Sequence, residues 1–145
     1  MRDPRPIDRL LDQYSESHLN HTNEVIHMVC VPLIVFSLLG LVWWIHPLAA
    51  VLVSIAALAY YFQLSRPFAL GMLAMTVVML ALLHAMPPLT VLPLSISIFV
   101  LAWIGQFIGH QIEGKKPSFF DDLRFLLIGP LFVLGFLYRR LRLSY

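Results

Sequence analysis

The residues with the most chemical potential in this chain are its histidines. Four of the six, His18, His21, His27 and His110, stand at the two edges of a long apolar block, in the company of amides and acids. At the first edge, Asn20, Asn23 and Glu24 fall among the histidines; Thr22 or Asn23 reads as a helix N-cap, with Glu24 in the first turn. In one straight helix His18 and His27, nine residues apart, would point to opposite sides, so a turn at Asn20 to Asn23 is needed to bring them together. At the second edge, Gln106, His110 and Glu113 stand at i, i+4 and i+7, one polar stripe on an otherwise apolar helix flanked by Gly105 and Gly109. Ionisable groups embedded in a membrane are costly, so their default reading is functional.

Imidazole together with carboxylate suits Zn, Fe, Ni or Cu better than Ca or Mg, which prefer all-oxygen shells. Two or three histidines with a carboxylate or water fit non-haem Fe(II), whose open positions accept oxygen and substrate; zinc is also compatible. Asn20, Asn23 and Gln106 would stand behind the ligands, orienting imidazoles or holding a substrate carboxylate. Lys115 and Lys116 read as headgroup contacts that can also attract an anionic substrate. His46 and His84, beside Pro47 and Pro87 at the opposite edge, read as interfacial residues, and Trp43, Trp44 and Trp103 as interface anchors or lipid-facing bulk. Cys30 has no partner for an internal disulfide and reads as packing. No Gly-x-Ser-x-Gly elbow, phosphate-binding loop, Cys pair or His-Glu-x-x-His helix is present, which argues against nucleophilic hydrolysis. Ion transport finds little support, because the two middle spans offer only Ser54, Gln63 and Thr76 away from Arg66 and His84.

The elements that must position these residues follow from composition. The chain has 145 residues, 59% hydrophobic and 12% charged, and between Glu24 and Glu113 the only formal charge is Arg66. That excludes a soluble globular protein and makes one membrane-embedded domain, residues 1–145. Four apolar stretches, 28–46, 48–64, 68–86 and 89–112, are each long enough to cross a hydrocarbon core of about 30 Å. They lack the alternation of barrel strands, so the expected class is an all-α integral membrane protein with about four transmembrane helices in antiparallel hairpins.

Ile7, Leu10, Leu11 and Tyr14 predict an amphipathic helix before the spans, lying on the headgroups. After them, Phe125 to Leu137 is apolar but short, with an expected break at Gly129-Pro130, and reads as re-entrant or interfacial. Asp3, Asp8, Asp12 and Glu16 precede any apolar run, unlike a cleaved signal peptide, so the whole chain is expected to be retained. Arg2, Arg5 and Arg9, then Arg66, then Lys115, Lys116, Arg124, Arg139, Arg140 and Arg142 mark one side, and the other two loops carry no Lys or Arg. This asymmetry predicts both termini and the polar clusters on the cytoplasmic side, with membrane lipid rather than nucleic acid as the charged partner.

The motifs His18-x-Asn20-x-x-Asn23-x-x-Ile26-His27 with Val31-Pro32, and Gln106-x-x-Gly109-His110 with Glu113 and Pro117, resemble those of the Mpo-type membrane 2-hydroxy fatty acid dioxygenases, from Tyr14 to about Pro130. The resemblance implies an Fe(II)-dependent enzyme that uses O2, without 2-oxoglutarate, to shorten a 2-hydroxy fatty acid by one carbon; in fungi this serves phytosphingosine degradation at the endoplasmic reticulum. It implies His18, His27 and His110 as metal ligands and Asn20, Asn23, Gln106 and Glu113 as further site residues. His21 falls where relatives often have proline. Glu113 departs from the eukaryotic pattern, in which the acid stands one residue further from the histidine, about 100° around the helix. The compact length suits a bacterial member acting at the inner membrane. Lys115 or Lys116 would capture the carboxylate, the acyl tail would lie among the spans, and Pro32 would kink the first span beyond His27. The competing readings are a nonenzymatic membrane protein whose polar clusters pair helices or hold a structural metal, and a different membrane iron oxidase of desaturase or hydroxylase type.

Overall fold

The computed structural model describes residues 5–143; Arg2 and Asp3, counted above among the charges before the first span, lie outside them. Among the described residues there are six α-helices and no strand: α1 (Pro6–Ser15), α2 (His21–Ile45), α3 (Pro47–Leu64), α4 (Arg66–Ala85), α5 (Pro88–Glu113) and α6 (Phe125–Arg140), with a 3-10 turn at Ser118–Phe120. Four of them, α2 to α5, are long and apolar enough to cross a membrane. The shortest has 18 residues and the longest 26, about 27 and 39 Å at 1.5 Å per residue.

Proline and a few polar side chains set the ends of these helices. His46 closes α2 in an extended conformation and caps α3, its Nδ1 accepting from the Leu48 N–H at 3.1 Å, with Pro47 as the first residue of α3. Ser65 before Pro67, and Pro87-Pro88, make the other two turns just as short, so consecutive spans run antiparallel. The expected boundaries hold except at the site end, where α2 starts seven residues before Met28. Its N-cap is Asn20, not Thr22 or Asn23: the Asn20 Oδ1 accepts from the Thr22 N–H at 2.9 Å, which lets the polar stretch His21 to Glu24 enter the helix. At the far end of α5, Gly114 stops the helix in the left-handed conformation (φ 74°), its N–H on the His110 and Gln111 carbonyls.

The spans α2 and α5 form the central antiparallel pair and approach through small residues. A Cβ at Gly109 would collide with Asn23 Oδ1, one at Gly105 with Cys30 Sγ, and one at Gly40 with Ser95 Oγ. Small residues at these crossings let the two backbones come close, as membrane helix pairs require without a hydrophobic driving force between them.

The segments flanking the spans differ from expectation in two respects. Helix α6 runs unbroken through Gly129-Pro130, as α2 does through Pro32. Pro130 removes one hydrogen bond near the start of α6, and Gly129 packs close to Tyr14 where the helix continues across both residues. Near its start the Leu127 carbonyl accepts from the Tyr61 hydroxyl at 2.9 Å, and near its end the Tyr138 hydroxyl donates to the Pro67 carbonyl at 2.8 Å. Both partners adjoin the α3–α4 turn, so α6 stays at that end and does not cross. The apolar face of α1 is likewise not laid on headgroups: Ile7, Leu11 and Tyr14 are buried in a cluster with Phe125, Ile128, Leu131 and Phe132 of α6 and with Phe68, Ala69 and Met72 of α4. Two short amphipathic or apolar helices thus cover one end of the bundle, the end where the polar clusters meet.

Candidate metal centre

Three side chains converge beneath that cover. His18 comes from the connection between α1 and α2, His27 from the second turn of α2, and His110 from the last turn of α5. Their exposures are 5%, 1% and 5%. One ring nitrogen from each lies within 4.8 Å of the other two. The rings stand nearly perpendicular to one another, with centroids 4.2 Å apart for His18 and His27, 5.1 Å for His18 and His110, and 4.8 Å for His27 and His110. The turn that brings His18 over His27 lies at residues 16–20, one turn earlier than expected.

Backbone carbonyls fix two of the rings. His18 Nδ1 lies 2.7 Å from the Tyr14 carbonyl and His27 Nδ1 2.8 Å from the Asn23 carbonyl. A carbonyl only accepts, so each Nδ1 carries the proton and each Nε2 presents a lone pair inward. His18 Nε2 is buried without a hydrogen-bond partner, as is His110 Nδ1. His18 is also stacked flat on the Tyr14 ring, centroids 4.2 Å apart and planes 9° apart. Burial lowers its pKa from 6.5 to about 4, so it is the neutral imidazole a metal ion requires at neutral pH.

One pair of these nitrogens already stands at the separation that a divalent metal requires. Two nitrogens about 2.1 Å from a common ion and 90–110° apart stand roughly 3.0–3.4 Å from each other. His27 Nε2 and His110 Nε2 are 3.1 Å apart. Three neutral nitrogens, with no carboxylate among them, would leave the ion its full positive charge and positions free for anionic or neutral oxygen ligands.

Glu113 is elsewhere engaged. Its Oε1 accepts from the Leu19 N–H at 3.0 Å, and its Oε2 from the Asn20 N–H at 2.9 Å and Asn23 Nδ2 at 3.1 Å. The carboxylate therefore clamps the connection carrying His18 onto the end of α5. Asn23, fully buried against Gly109, also donates from Nδ2 to the Ser17 carbonyl at 3.1 Å, while Asn20 is occupied as the N-cap. Lys115 Nζ donates to the Glu16 carbonyl at 2.7 Å, tying the end of α1 to the same strap, and Lys116 is exposed. His21 is exposed on the first turn of α2, 3.6 Å from Glu24, and His46 and His84 lie at the opposite end, His84 edge-on to Trp43.

The remaining predicted site residue, Gln106, lines a cavity of about 270 Å³ that begins beside the histidines. Tyr14, Gln106 and His110 line it, and it continues between α2 and α5 past Val31, Ile34 and Trp103 to Leu38 and Phe99. From His110 to Phe99 is eleven residues of α5, about 17 Å along the helix. The cavity joins a nitrogen-lined end at the membrane face to an apolar end in the cleft between α2 and α5, where Leu38 is exposed. Tyr14 and Trp103 were not foreseen as site residues: an aromatic in an amphipathic or apolar run carries no signal of what it faces.

The chain matches the family model described as "2-hydroxy-palmitic acid dioxygenase Mpo1-like" over residues 5–141. It is 31% identical over 131 residues to the 2-hydroxy-palmitic acid dioxygenase MPO1 of Saccharomyces cerevisiae, an alignment covering 83% of this chain and 73% of the yeast protein. No solved structure matches it. With the family model spanning nearly every residue and the three histidines gathered in one place, the chain belongs to the Mpo1-like family.

Proposed function

We propose that this protein is an Fe(II)-dependent dioxygenase that shortens a 2-hydroxy fatty acid by one carbon, with His18, His27 and His110 holding the metal. The observation that carries the reading is the junction of three buried, converging imidazoles with an apolar cavity, in a chain of this family. An amphiphile with its carboxylate at the headgroups and its chain in hydrocarbon already has the orientation of that cavity.

Bound iron would supply a Lewis-acidic centre with open positions for the substrate's oxygens and for O2. The protein's part is to orient and to exclude water. The carbonyls of Tyr14 and Asn23 keep the Nδ1 protons of His18 and His27 in place, so both rings present their Nε2 lone pairs throughout. Glu113, Asn20 and Asn23 act as positioning residues, fixing the connection that carries His18; Gln106 faces the cavity beside His110. Val31, Ile34, Leu38 and Phe99 take the acyl chain. Lys115 and Lys116 draw the anion to this face, which we take as cytoplasmic on the expectation that loops rich in Lys and Arg face that side. The reaction balances with O2 as sole oxidant: 2-hydroxypalmitic acid and one O2 give pentadecanoic acid, CO2 and water.

The test is metal analysis of anaerobically purified protein, followed by addition of 2-hydroxypalmitate and O2 and mass spectrometry of the products. Iron with pentadecanoate is expected, and loss of both in His18→Ala, His27→Ala and His110→Ala. Oxygen use without chain shortening would indicate a different oxidase; folded protein that binds no Fe(II) and makes no product would indicate a nonenzymatic role.

A further inference from the structure

The cavity wall holds more unused hydrogen-bond donors than an apolar chain needs. Gln106 Nε2, Trp103 Nε1 and Ser118 Oγ are buried side-chain atoms without a hydrogen-bond partner, and all three residues line the cavity. Unpaired buried polar atoms are few in folded proteins, and each asks for an explanation. Here three of the seven among the described residues, four with His110 Nδ1, belong to one cavity.

Their placement is local to the histidine end. Trp103, Gln106 and His110 stand at i, i+3 and i+7 of α5 and share one face. Ser118 reaches the same wall because Gly114 turns the chain back at the end of α5 and the 3-10 turn follows. That turn sets Phe119 edge-on against Trp103, ring centroids 5.1 Å apart. An indole N–H only donates, an amide nitrogen donates twice, and a hydroxyl donates once. A carboxylate only accepts, with about four lone-pair sites. Beyond these donors the wall turns to Leu38 and Phe99.

We infer that Trp103, Gln106 and Ser118 form a carboxylate-binding subsite that seats the head of the fatty acid beside His110. The inference rests on the proposed reading of the cavity as the place of a 2-hydroxy acid. It assigns recognition of the acid to neutral donors inside the bundle, and leaves Lys115 and Lys116 the task of attraction from outside. Lys115 supports that division, since its ammonium already donates to the Glu16 carbonyl. Trp103 thereby changes from a membrane anchor to a residue that reads the substrate's headgroup.

The test is equilibrium binding of radiolabelled 2-hydroxypalmitate and of its methyl ester to the full-length, metal-bound protein in nanodiscs under argon, where no turnover occurs. Wild type should prefer the acid. Trp103→Phe keeps an aromatic ring at this position while removing the N–H together with part of the indole, and Ser118→Ala, in a different segment, removes the hydroxyl alone. Each should weaken acid binding about tenfold, the loss of one hydrogen bond to a charged group, with a smaller effect on the ester and an unchanged thermal midpoint. Unaltered acid binding in both variants, or equal losses for acid and ester, overturns the subsite. So does transfer of the whole acid preference to Lys115→Gln or Lys116→Gln. Trp103-dependent binding without any shortened product would keep the subsite and remove the dioxygenase reading; turnover with Trp103→Phe binding like wild type would do the reverse.

Discussion

His18 depends on two contacts from one neighbour: Tyr14 supplies both the carbonyl that fixes its tautomer and the ring it stacks on. Its burial has a pH signature in metal-free protein. An unfolded histidine titrates near 6.5, and the folded one near 4, so between these values the unfolded chain binds a proton that the folded protein refuses. Stability is fully present above 6.5 and falls as pH drops toward 4. The thermal midpoint followed from pH 7.5 to 4.5 should decline over that window, with a shallower slope in His18→Gln. Glu113 supports His18 from the other side. Glu113→Gln keeps the shape, loses the charge and cannot accept from all three donors, so the connection should loosen by about 2 kcal/mol. Metal affinity measured by competition with a chelator should fall with it, while His27 and His110 keep their places. The histidines themselves were legible from spacing and type. The clamp was not, because its main partners are backbone N–H groups of Leu19 and Asn20, more than ninety residues away and silent in side-chain identity.

Helix α2 has a polar first turn that no hydropathy pattern would grant it. The apolar run starts at Met28, yet the helix starts at His21 because Asn20 caps it, and Glu113 holds Asn20 and Asn23 from α5. Caps and tertiary clamps thus explain the part of the helix that composition left out. The expected break at Gly129-Pro130 is absent for a related reason, while α6 keeps the non-crossing place expected of it: a Gly-Pro pair marks a break in an isolated segment, whereas here Tyr14 fills the space at Gly129 and the Tyr61 hydroxyl engages the neighbouring Leu127 carbonyl. The α2–α5 approach makes a sharper prediction. Gly109→Ala would drive a methyl group into Asn23, which packs without slack, and should destabilise by about 1–3 kcal/mol. It also separates His27 from His110, so metal content should drop in protein that still folds; Gly114→Ala, strained by φ 74° but clear of neighbours, should cost about 1 kcal/mol and keep its metal.

At the scale of the molecule, four spans were plain from apolar runs punctuated by proline, since nothing else satisfies the backbone in lipid. The covering layer of α1 and α6 was not, because an amphipathic face does not say whether lipid or protein will take it. That layer and the histidine cluster bear on stability together. A metal held by residues from three separate segments ties those segments to one another, and at a hundredfold excess over its Kd it would add about 2.7 kcal/mol. Chelation should lower the thermal midpoint of wild type, ferrous ion should restore it, and His27→Ala should show neither response.

The order in which the cluster's members are made matters as well. His18 and His27 leave the ribosome before α3 and α4 are made, and His110 follows only at the end of α5. A chain threaded into the membrane span by span holds two imidazoles for most of its assembly and gains the third only when α5 is in place. Chains stalled before α5 therefore lack the three-nitrogen set, and a metal ion would find all three nitrogens only once α5 has joined α2 and completed the cavity between them.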